Sequence, residues 1–377
     1  MSEPLPSLDR WGSLAGKRVL VRVDFNTPVA DVDGRLEVSD DFRIRAALPL
    51  FEELQSRGAT VVACTHFGRP KGQFVEEYSV APVRRRLHEL GSDVELLENL
   101  RFNPGEEAND RAFGESLIAG FDYYINEAFG ASHRAHASIM VPPTVVPSAA
   151  GTNLQREVST ILSLLESPAR PFVAIIGGAK VKDKLAITTV LAEKADTVIV
   201  GGGMAYTFEV TKGRTIGSSL FDGSYLDACS TLMATGRVAI PDDALGLASG
   251  APFGDGGEAA LAFGEDIPDG FVGLDIGPTS IARFESLLGG AATILWNGPM
   301  GVFEDPRFRG GTEAIARAVA TSDAVSVVGG GDSVAALQLF GLEKDVSFVS
   351  TGGGASLELV ELGDLPGLRA LRESPWN

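Results

Sequence analysis

Short runs of β-branched and apolar residues alternate with amphipathic stretches along almost the whole 377-residue chain. Val19–Phe25, Ala59–Thr65, Asp93–Leu97 and Tyr123–Asn126 have the composition of strands. Between the first two, Ile44, Ala47, Leu48, Phe51 and Leu54 recur at the spacing of one helix face. Strand, helix and strand in succession predict a parallel sheet with helices on both faces. Residues 141–151 hold Pro142, Pro143 and Pro147 and predict a break with no regular element. Thr152 to Gln155 then has the form of a capping box, and Leu154, Val158, Ile161, Leu162 and Leu165 mark the stripe of an inter-domain helix. Alternation resumes at Phe172–Ile176, Thr197–Val200, Val238–Ile240, Val272–Ile276, Thr293–Trp296, Ala324–Val328 and Val346–Val349, which predicts a second parallel sheet. The Gly-rich residues 249–264 predict an irregular surface hairpin.

Composition narrows the function. At about 150 residues per domain the length predicts two to three domains. With 44% hydrophobic and 22% charged residues the chain can bury a large core, which excludes disorder, collagen and coiled coil. Its 32 basic against 50 acidic side chains give a net charge of −18, a surface that repels nucleic-acid backbones and anionic lipid. The uncharged residues 135–155 and 286–303 are interrupted by prolines and by Asn297-Gly298-Pro299, so neither predicts a membrane span. Cys64 and Cys229 make no disulfide framework, and the amino terminus lacks the charge and apolar run of a signal peptide. The expectation is a cytoplasmic protein.

One short pattern recurs in the second half. A strand runs into three glycines and a helix at Gly201-Gly202-Gly203, Gly329-Gly330-Gly331 and Gly352-Gly353-Gly354. Such turns are either tight connections or places where a phosphate meets backbone N–H groups at a helix start. Gly177-Gly178-Ala179-Lys180-Val181-Lys182-Asp183-Lys184 follows a strand and is predicted to open a helix, with Lys180 and Lys184 on one face and Lys182 on another. Two lysines at a positive helix end are unfavourable unless an anion joins them. Asp332 is either an N-cap or a carboxylate for Mg²⁺, with Ser333 beside it. Asn297 ends a strand at the same sheet edge, and Glu304 beyond it has the chemistry to accept from ribose hydroxyls. No Walker A sequence occurs, and the formal G-x-G-x-x-A at Gly254–Ala259 lies in the irregular segment.

The first half carries arginine. Asp24 and Asn26 end one strand, Arg43 begins a helix, and His66 and Arg69 follow the next strand. Arg101 and then Arg134, flanked by His133 and His136, follow the third and fourth. Taken singly each arginine fits a surface ion pair; together, at the ends of consecutive parallel strands, they fit a pocket for a small anion. No G-x-S-x-G or H-E-x-x-H occurs, and neither cysteine lies near a plausible base. Lysines on a phosphate site facing arginines on an anion site suit in-line phosphoryl transfer, which needs positioning and charge rather than a protein nucleophile.

In order, Arg22–Pro28, Thr65–Pro70, Glu98–Phe102, Ile125–Gly130, His133–His136, Gly177–Lys184, Gly201–Phe208, Leu274–Pro278, Trp296–Glu304, Gly329–Ser333 and Ser350–Ser356 resemble the phosphoglycerate kinase family. The resemblance covers nearly the whole chain. It implies two Rossmann-like, doubly wound parallel α/β domains joined by an inter-domain helix, with an active-site cleft between them. Residues 1–150 with the tail 362–377 would bind the triose phosphate, and residues 151–361 the nucleotide. The implied reaction is reversible phosphoryl transfer from 1,3-bisphosphoglycerate to ADP, giving 3-phosphoglycerate and ATP, with Mg²⁺. By resemblance, Asp24, Asn26, Arg43, His66, Arg69, Arg101 and Arg134 would hold the triose phosphate, and Arg43 would also face the phosphoryl group in flight. Lys180 and Lys184 would meet the transferring and nucleotide phosphates, with N–H donors from Gly353 and Gly354. Gly202, Gly203 and Asn297 would line the nucleotide, Glu304 would meet the ribose, and Gly330, Gly331, Asp332 and Ser333 the phosphates and metal.

The departures are Thr65, Phe67, Glu127 and Ser333 where the family has Ser, Leu, Asp and Thr. Glu127 is expected to lie beside the anion site and alter how Arg134 is held. A nicotinamide-dependent oxidoreductase would need G-x-G-x-x-G where this chain has Asp24-Phe25-Asn26-Thr27-Pro28, which excludes it. The other alternative is a non-catalytic binding or regulatory protein of the same fold, against which the intact Arg43, Lys180, Lys184 and Asp332 argue. A monomer without nucleic-acid or membrane partners is expected.

Overall fold

The computed structural model describes residues 3–252, 254 and 260–376. The dismissed motif at residues 254–259 therefore lies, apart from Gly254, outside the described residues. The chain divides into two compact units, Met1–Thr160 with Leu362–Asn377, and Ile161–Glu361. The division falls inside the predicted helix, which runs Thr152–Glu166 and buries Leu154, Val158, Ile161, Leu164 and Leu165.

The first unit contains β1 (Arg18–Arg22), β2 (Val29–Val32), β3 (Arg35–Val38), β4 (Thr60–Cys64), β5 (Glu95–Leu96), β6 (Tyr123–Asn126) and β7 (Ser148–Ala150). Five of these form a sheet in the order β5-β4-β1-β6-β7, every pair parallel. The chain steps outward from β1 through β4 to β5, then returns to the other side of β1 with β6. That reversal makes the carboxyl ends of β1 and β6 a topological switch point, where open α/β sheets bind ligands. The helix Phe42–Ser56 covers one face through Ile44, Ala47, Leu50, Phe51 and Leu54.

The expectation of no regular element over residues 141–151 is corrected. A one-turn helix, Pro142–Val145, and the edge strand β7 occupy it. Proline is tolerated there because it stands at the start of a helix, where no N–H is needed, and Pro147 precedes β7 rather than interrupting it. The hairpin of β2 and β3 was not foreseen; its turn residues Asp33 and Gly34 have φ of 54° and 80°, the positive values that a two-residue turn demands.

The second unit holds β8 (Phe172–Ile176), β9 (Thr197–Val200), β10 (Val238–Ala239), β11 (Ala244–Ala248), β12 (Leu261–Phe263), β13 (Phe271–Ile276), β14 (Thr293–Asn297), β15 (Val325–Gly329) and β16 (Phe348–Val349). Its main sheet is ordered β10-β9-β8-β14-β15-β16, again wholly parallel. All residues of β8 and β14 are buried, the mark of strands covered on both faces. Here the switch point lies between β8 and β14.

One predicted member of this sheet is elsewhere. Residues 272–276 belong to β13, which pairs antiparallel with β11 in a separate three-stranded sheet completed by β12. A short apolar run reads the same in either setting. β11 pairs antiparallel with β12 across the segment expected to form a hairpin at residues 249–264, of which residues 253 and 255–259 lie outside the described residues.

Candidate functional site

In the first unit, the predicted anion-binding side chains gather beyond the ends of β1, β4 and β6. Arg43, on the first turn of its helix, donates through Nη1 to Asp24 Oδ2 at 2.9 Å. Burial works to raise the Asp24 carboxyl, but Arg43 and Arg22 hold it below its ordinary value. Asn26 Oδ1 accepts from Gly68 N (2.9 Å), and Arg101 donates to Gly68 O (2.8 Å), so three segments are tied at one point. Arg101 also pairs with Glu107 at 3.2 Å. His66 is nearly buried, whereas Arg69 and Arg134 are exposed. Arg134 lies within electrostatic reach of His133 and His136; Arg69 follows Gly68 at the same sheet edge but makes no described contact with the others. Thr65 is fully buried, its hydroxyl accepting from Phe25 N at 2.9 Å, a bond any hydroxyl side chain of this size can make.

Glu127 is not where it was expected. It turns from the end of β6 to the start of the helix Thr152–Glu166, accepting from Asn153 N (3.0 Å) and Leu154 N (3.2 Å). It thereby replaces the predicted capping box; Gln155 instead donates to Ala150 O. A Cβ on Gly151 would lie 2.0 Å from the Glu127 carboxylate, which explains the glycine. Burial outweighs these N–H groups and raises the Glu127 carboxyl from 4.5 to about 8. The folded protein thus binds this proton more tightly than the unfolded chain does. Its contribution to stability is complete below about 4.5, declines as pH rises toward about 8, and is gone above that. In denaturant titrations, Glu127→Gln is expected to flatten that decline, by up to about 1.4 kcal/mol per pH unit. Asp275 and Glu209, both raised to about 7, titrate in wild type and variant alike, so the difference isolates Glu127. Identical slopes would contradict the assignment.

In the second unit, nine predicted residues surround one open pocket of about 390 Å³: Lys180, Lys184, Asn297, Gly330, Gly331, Asp332, Ser333, Gly353 and Gly354. Lys184 Nζ donates to Asn297 Oδ1, a bond that spans the switch point between β8 and β14. Burial lowers the Lys184 ammonium from 10.5 to about 8 against the pull of Asp332 and Asp183. The helical-face reading of the two lysines is corrected: Val181–Asp183 is a 3₁₀ turn, and the α-helix starts only at Leu185. Lys180 and Lys184 still meet, because each precedes one of these elements and both line the pocket, while Lys182 is exposed outside it.

The glycines have specific work. Gly177 N donates to Asn297 O (2.9 Å), and a Cβ on Gly177 would stand 2.0 Å from Pro299 O. Gly298, at φ +102°, is as tightly pressed against Gly177 O. The loops after β8 and β14 cross with room for backbone alone. Gly330, not Asp332, is the N-cap of the helix Gly331–Phe340, so the Asp332 carboxylate is exposed at the pocket instead of capping. Ser333 is buried, and its Oγ accepts from Gly298 N at 2.5 Å, so its oxygen braces the crossing.

A second pocket of about 340 Å³ adjoins the first, sharing Gly178, Ala179 and Asp332, and is lined by Gly202, Gly203 and Glu304. Tyr206, Leu220 and Met300 also line it, and sequence reasoning did not single them out. Their apolar character matched core positions, and only the fold shows them facing a cavity. Among the described residues, no three His, Cys, Asp or Glu side chains gather as a metal cluster. The donor set around Asp332, one carboxylate amid backbone N–H groups, fits a hard cation held mainly by phosphate and water.

A family model described as phosphoglycerate kinase matches residues 9–95 and 91–362. A phosphoglycerate kinase of Rubrobacter xylanophilus is 47% identical over 385 residues, covering 96% of each chain. One from Parafrankia sp. is 44% identical over 393 residues, covering 95% of this chain and 98% of that one. The solved phosphoglycerate kinase structure from Coxiella burnetii superposes with a TM-score of 0.86 at 36% identity, and that from Pyrococcus horikoshii with 0.83 at 28%; each match covers 98% of this chain and 99% of the other.

Proposed function

The chain belongs to the phosphoglycerate kinase family, and from that premise we propose how its residues divide the work of the reaction. The activity is that of a glycolytic phosphotransferase with a carboxyl acceptor: reversible transfer between 1,3-bisphosphoglycerate and ADP, giving 3-phosphoglycerate and ATP. The observation that carries the assignment of roles is that, in each parallel sheet, cationic side chains collect at the switch point.

In the proposed mechanism the unit built on β1 holds the triose phosphate through Asp24, Asn26, Arg43, His66, Arg69, Arg101 and Arg134. Asp24 aims Arg43, which neutralises charge on the phosphoryl group in transit. The unit built on β8 holds the nucleotide. Lys180 and Lys184 neutralise its phosphates, Gly330, Gly331, Gly353 and Gly354 bring backbone N–H groups to them, and Glu304 accepts from the ribose. Gly202, Gly203 and Asn297 let the nucleotide approach the backbone, and Ser333 keeps the crossing loops in register. Asp332 would hold Mg²⁺, which when bound supplies further neutralisation of phosphate charge. The acceptor carboxylate of the substrate is itself the nucleophile, so the protein needs to position and neutralise only. We further assign the enzyme to the cytoplasm as a monomer; no helix among the described residues is long and apolar enough to cross a membrane.

The test is initial velocity with 3-phosphoglycerate, ATP and Mg²⁺, coupled to NADH oxidation, with and without EDTA. Metal-dependent turnover of roughly 1–1,000 per second is expected. A folded protein that binds both ligands without turnover would restore the non-catalytic alternative. Because Lys184 loses its proton near pH 8 in the free protein, kcat/KM for the nucleotide should fall as pH rises through about 8, and Lys184→Arg should move that fall upward. An unmoved profile would assign the titration to another group.

A further inference from the structure

Arg22 ends β1 and is a wholly buried arginine inside an apolar run. Its guanidinium donates in three directions: to Val23 O at 2.5 Å, to Ser138 Oγ at 2.9 Å, and to His66 Nδ1 at 3.1 Å. A guanidinium has no acceptor and keeps its charge in proteins, so His66 Nδ1 must carry the lone pair. The ring proton then sits on Nε2, which has no protein partner among the described residues.

What aims Arg22 lies deeper. Ser138 gives both of its donors to Glu106, its N–H to Oε2 at 2.9 Å and its hydroxyl to Oε1 at 2.7 Å. With its single proton spent on Glu106, the Ser138 oxygen can only accept from Arg22. Glu106 is fully buried, 4.0 Å from Arg22 Nη2 and 3.8 Å from His136 Nδ1, so its carboxylate is the counter-charge of this cluster. The four residues come from the helix Pro104–Glu107, the helix Ala137–Met140, β1 and the loop after β4.

We infer that Glu106 is a positioning residue: through Ser138 and Arg22 it holds His66 as the neutral Nε2–H tautomer, presenting that N–H as a donor to the anionic triose phosphate. This rests on the reading that His66 faces that substrate. The surroundings agree with a neutral ring. Burial leads in holding His66 well below its ordinary value; Arg22, Arg101 and His136 add to it, and Asp24 alone opposes.

The chain has four histidines, so ¹⁵N-histidine NMR of the whole protein resolves the point, with His66→Asn identifying the resonance. In ligand-free wild type at neutral pH, Nδ1 should show the shift of an unprotonated nitrogen and Nε2 that of a protonated one. A ring protonated on Nδ1, or on both nitrogens, overturns the relay whatever the variants do. Glu106→Gln and Ser138→Ala break the relay at different points. Both should give mixed tautomers and raise KM for 3-phosphoglycerate about tenfold, with kcat changed less than about threefold. If Ser138→Ala, folded by its thermal midpoint, keeps the wild-type tautomer and KM, Glu106 acts only as a structural charge and the proposal fails. Adding 3-phosphoglycerate should shift the Nε2 signal. If the tautomer is as expected but that signal stays still, the substrate reading is wrong and the positioning role falls with it.

Discussion

Replacing Arg43 by alanine is expected to lower kcat by about 10²–10³-fold while changing KM for 3-phosphoglycerate by less than about threefold. In the proposed mechanism six other side chains share the task of holding the triose phosphate in its ground state, so the loss of one is spread thinly. Transition-state charge is less forgiving, because it develops only where the transferring group passes and only a cation aimed there beforehand can meet it. Arg43 is aimed: Asp24 holds Nη1 at 2.9 Å, and the side chain is only 31% exposed. Arg43→Lys keeps the charge but not the planar fork, and should recover part of the loss. A change confined to KM would show that Arg43 binds substrate without following it through the reaction.

The second large effect is steric. Gly177→Ala should lower kcat/KM at least about 10²-fold and depress the thermal midpoint, although it adds one methyl group and removes no functional atom. The new Cβ would stand 2.0 Å from Pro299 O and 2.7 Å from Gly298 O, both backbone atoms that no rotamer change can clear. Overpacking of this kind costs roughly 1–3 kcal/mol, and it is relieved only by moving the two loops apart. That movement would carry Asn297 away from Lys184, and Gly298 away from Ser333. Wild-type activity and stability in Gly177→Ala would mean that the loops part freely and that their crossing is incidental.

Most of the architecture could be read from hydrophobic spacing, because parallel strands buried on both faces leave unbroken apolar runs such as Phe172–Ile176. The failures are local and have physical causes. Run length does not record strand direction, so the apolar run of β13 reads as a member of the parallel sheet, although Gly273 and Asp275 inside it set it apart from β8. The β2–β3 hairpin carried its own signal in Asp33-Gly34 between alternating residues. The four-residue interval between Lys180 and Lys184 means one face only in an α-helix, and here a 3₁₀ turn intervenes, so the two meet because each precedes one of these elements. Of the buried relay, Arg22 announces itself as a charge in the run Val19–Val23. Glu106 does not: it stands in a polar stretch, and only the tertiary fold shows that this carboxylate is inside. Chain position alone puts Glu127 beside the expected anion site, yet its side chain serves the helix that follows.

The tail Leu362–Asn377 packs with the first 160 residues. Its helix Pro366–Arg372 is fastened by Gly367 N to Ser132 O (2.8 Å) and by Arg372 to Glu3 O (2.7 Å), and Ser374 just beyond it by its hydroxyl to Pro143 O (2.7 Å). Ser132 directly precedes His133 and Arg134. The ribosome therefore delivers the first unit in two instalments, separated by the whole of the second. At about 5–20 residues per second, the intervening stretch takes roughly 10–40 s to translate. During that interval the second unit can mature while the first waits with Ile139, Pro143 and the Ser132 carbonyl uncovered. A chain that stalls or is clipped before Pro366 would expose that apolar seam, giving chaperones and proteases a marker of incomplete synthesis. A segment made after the second unit thus seals the part made before it, beside the loop that carries His133 and Arg134.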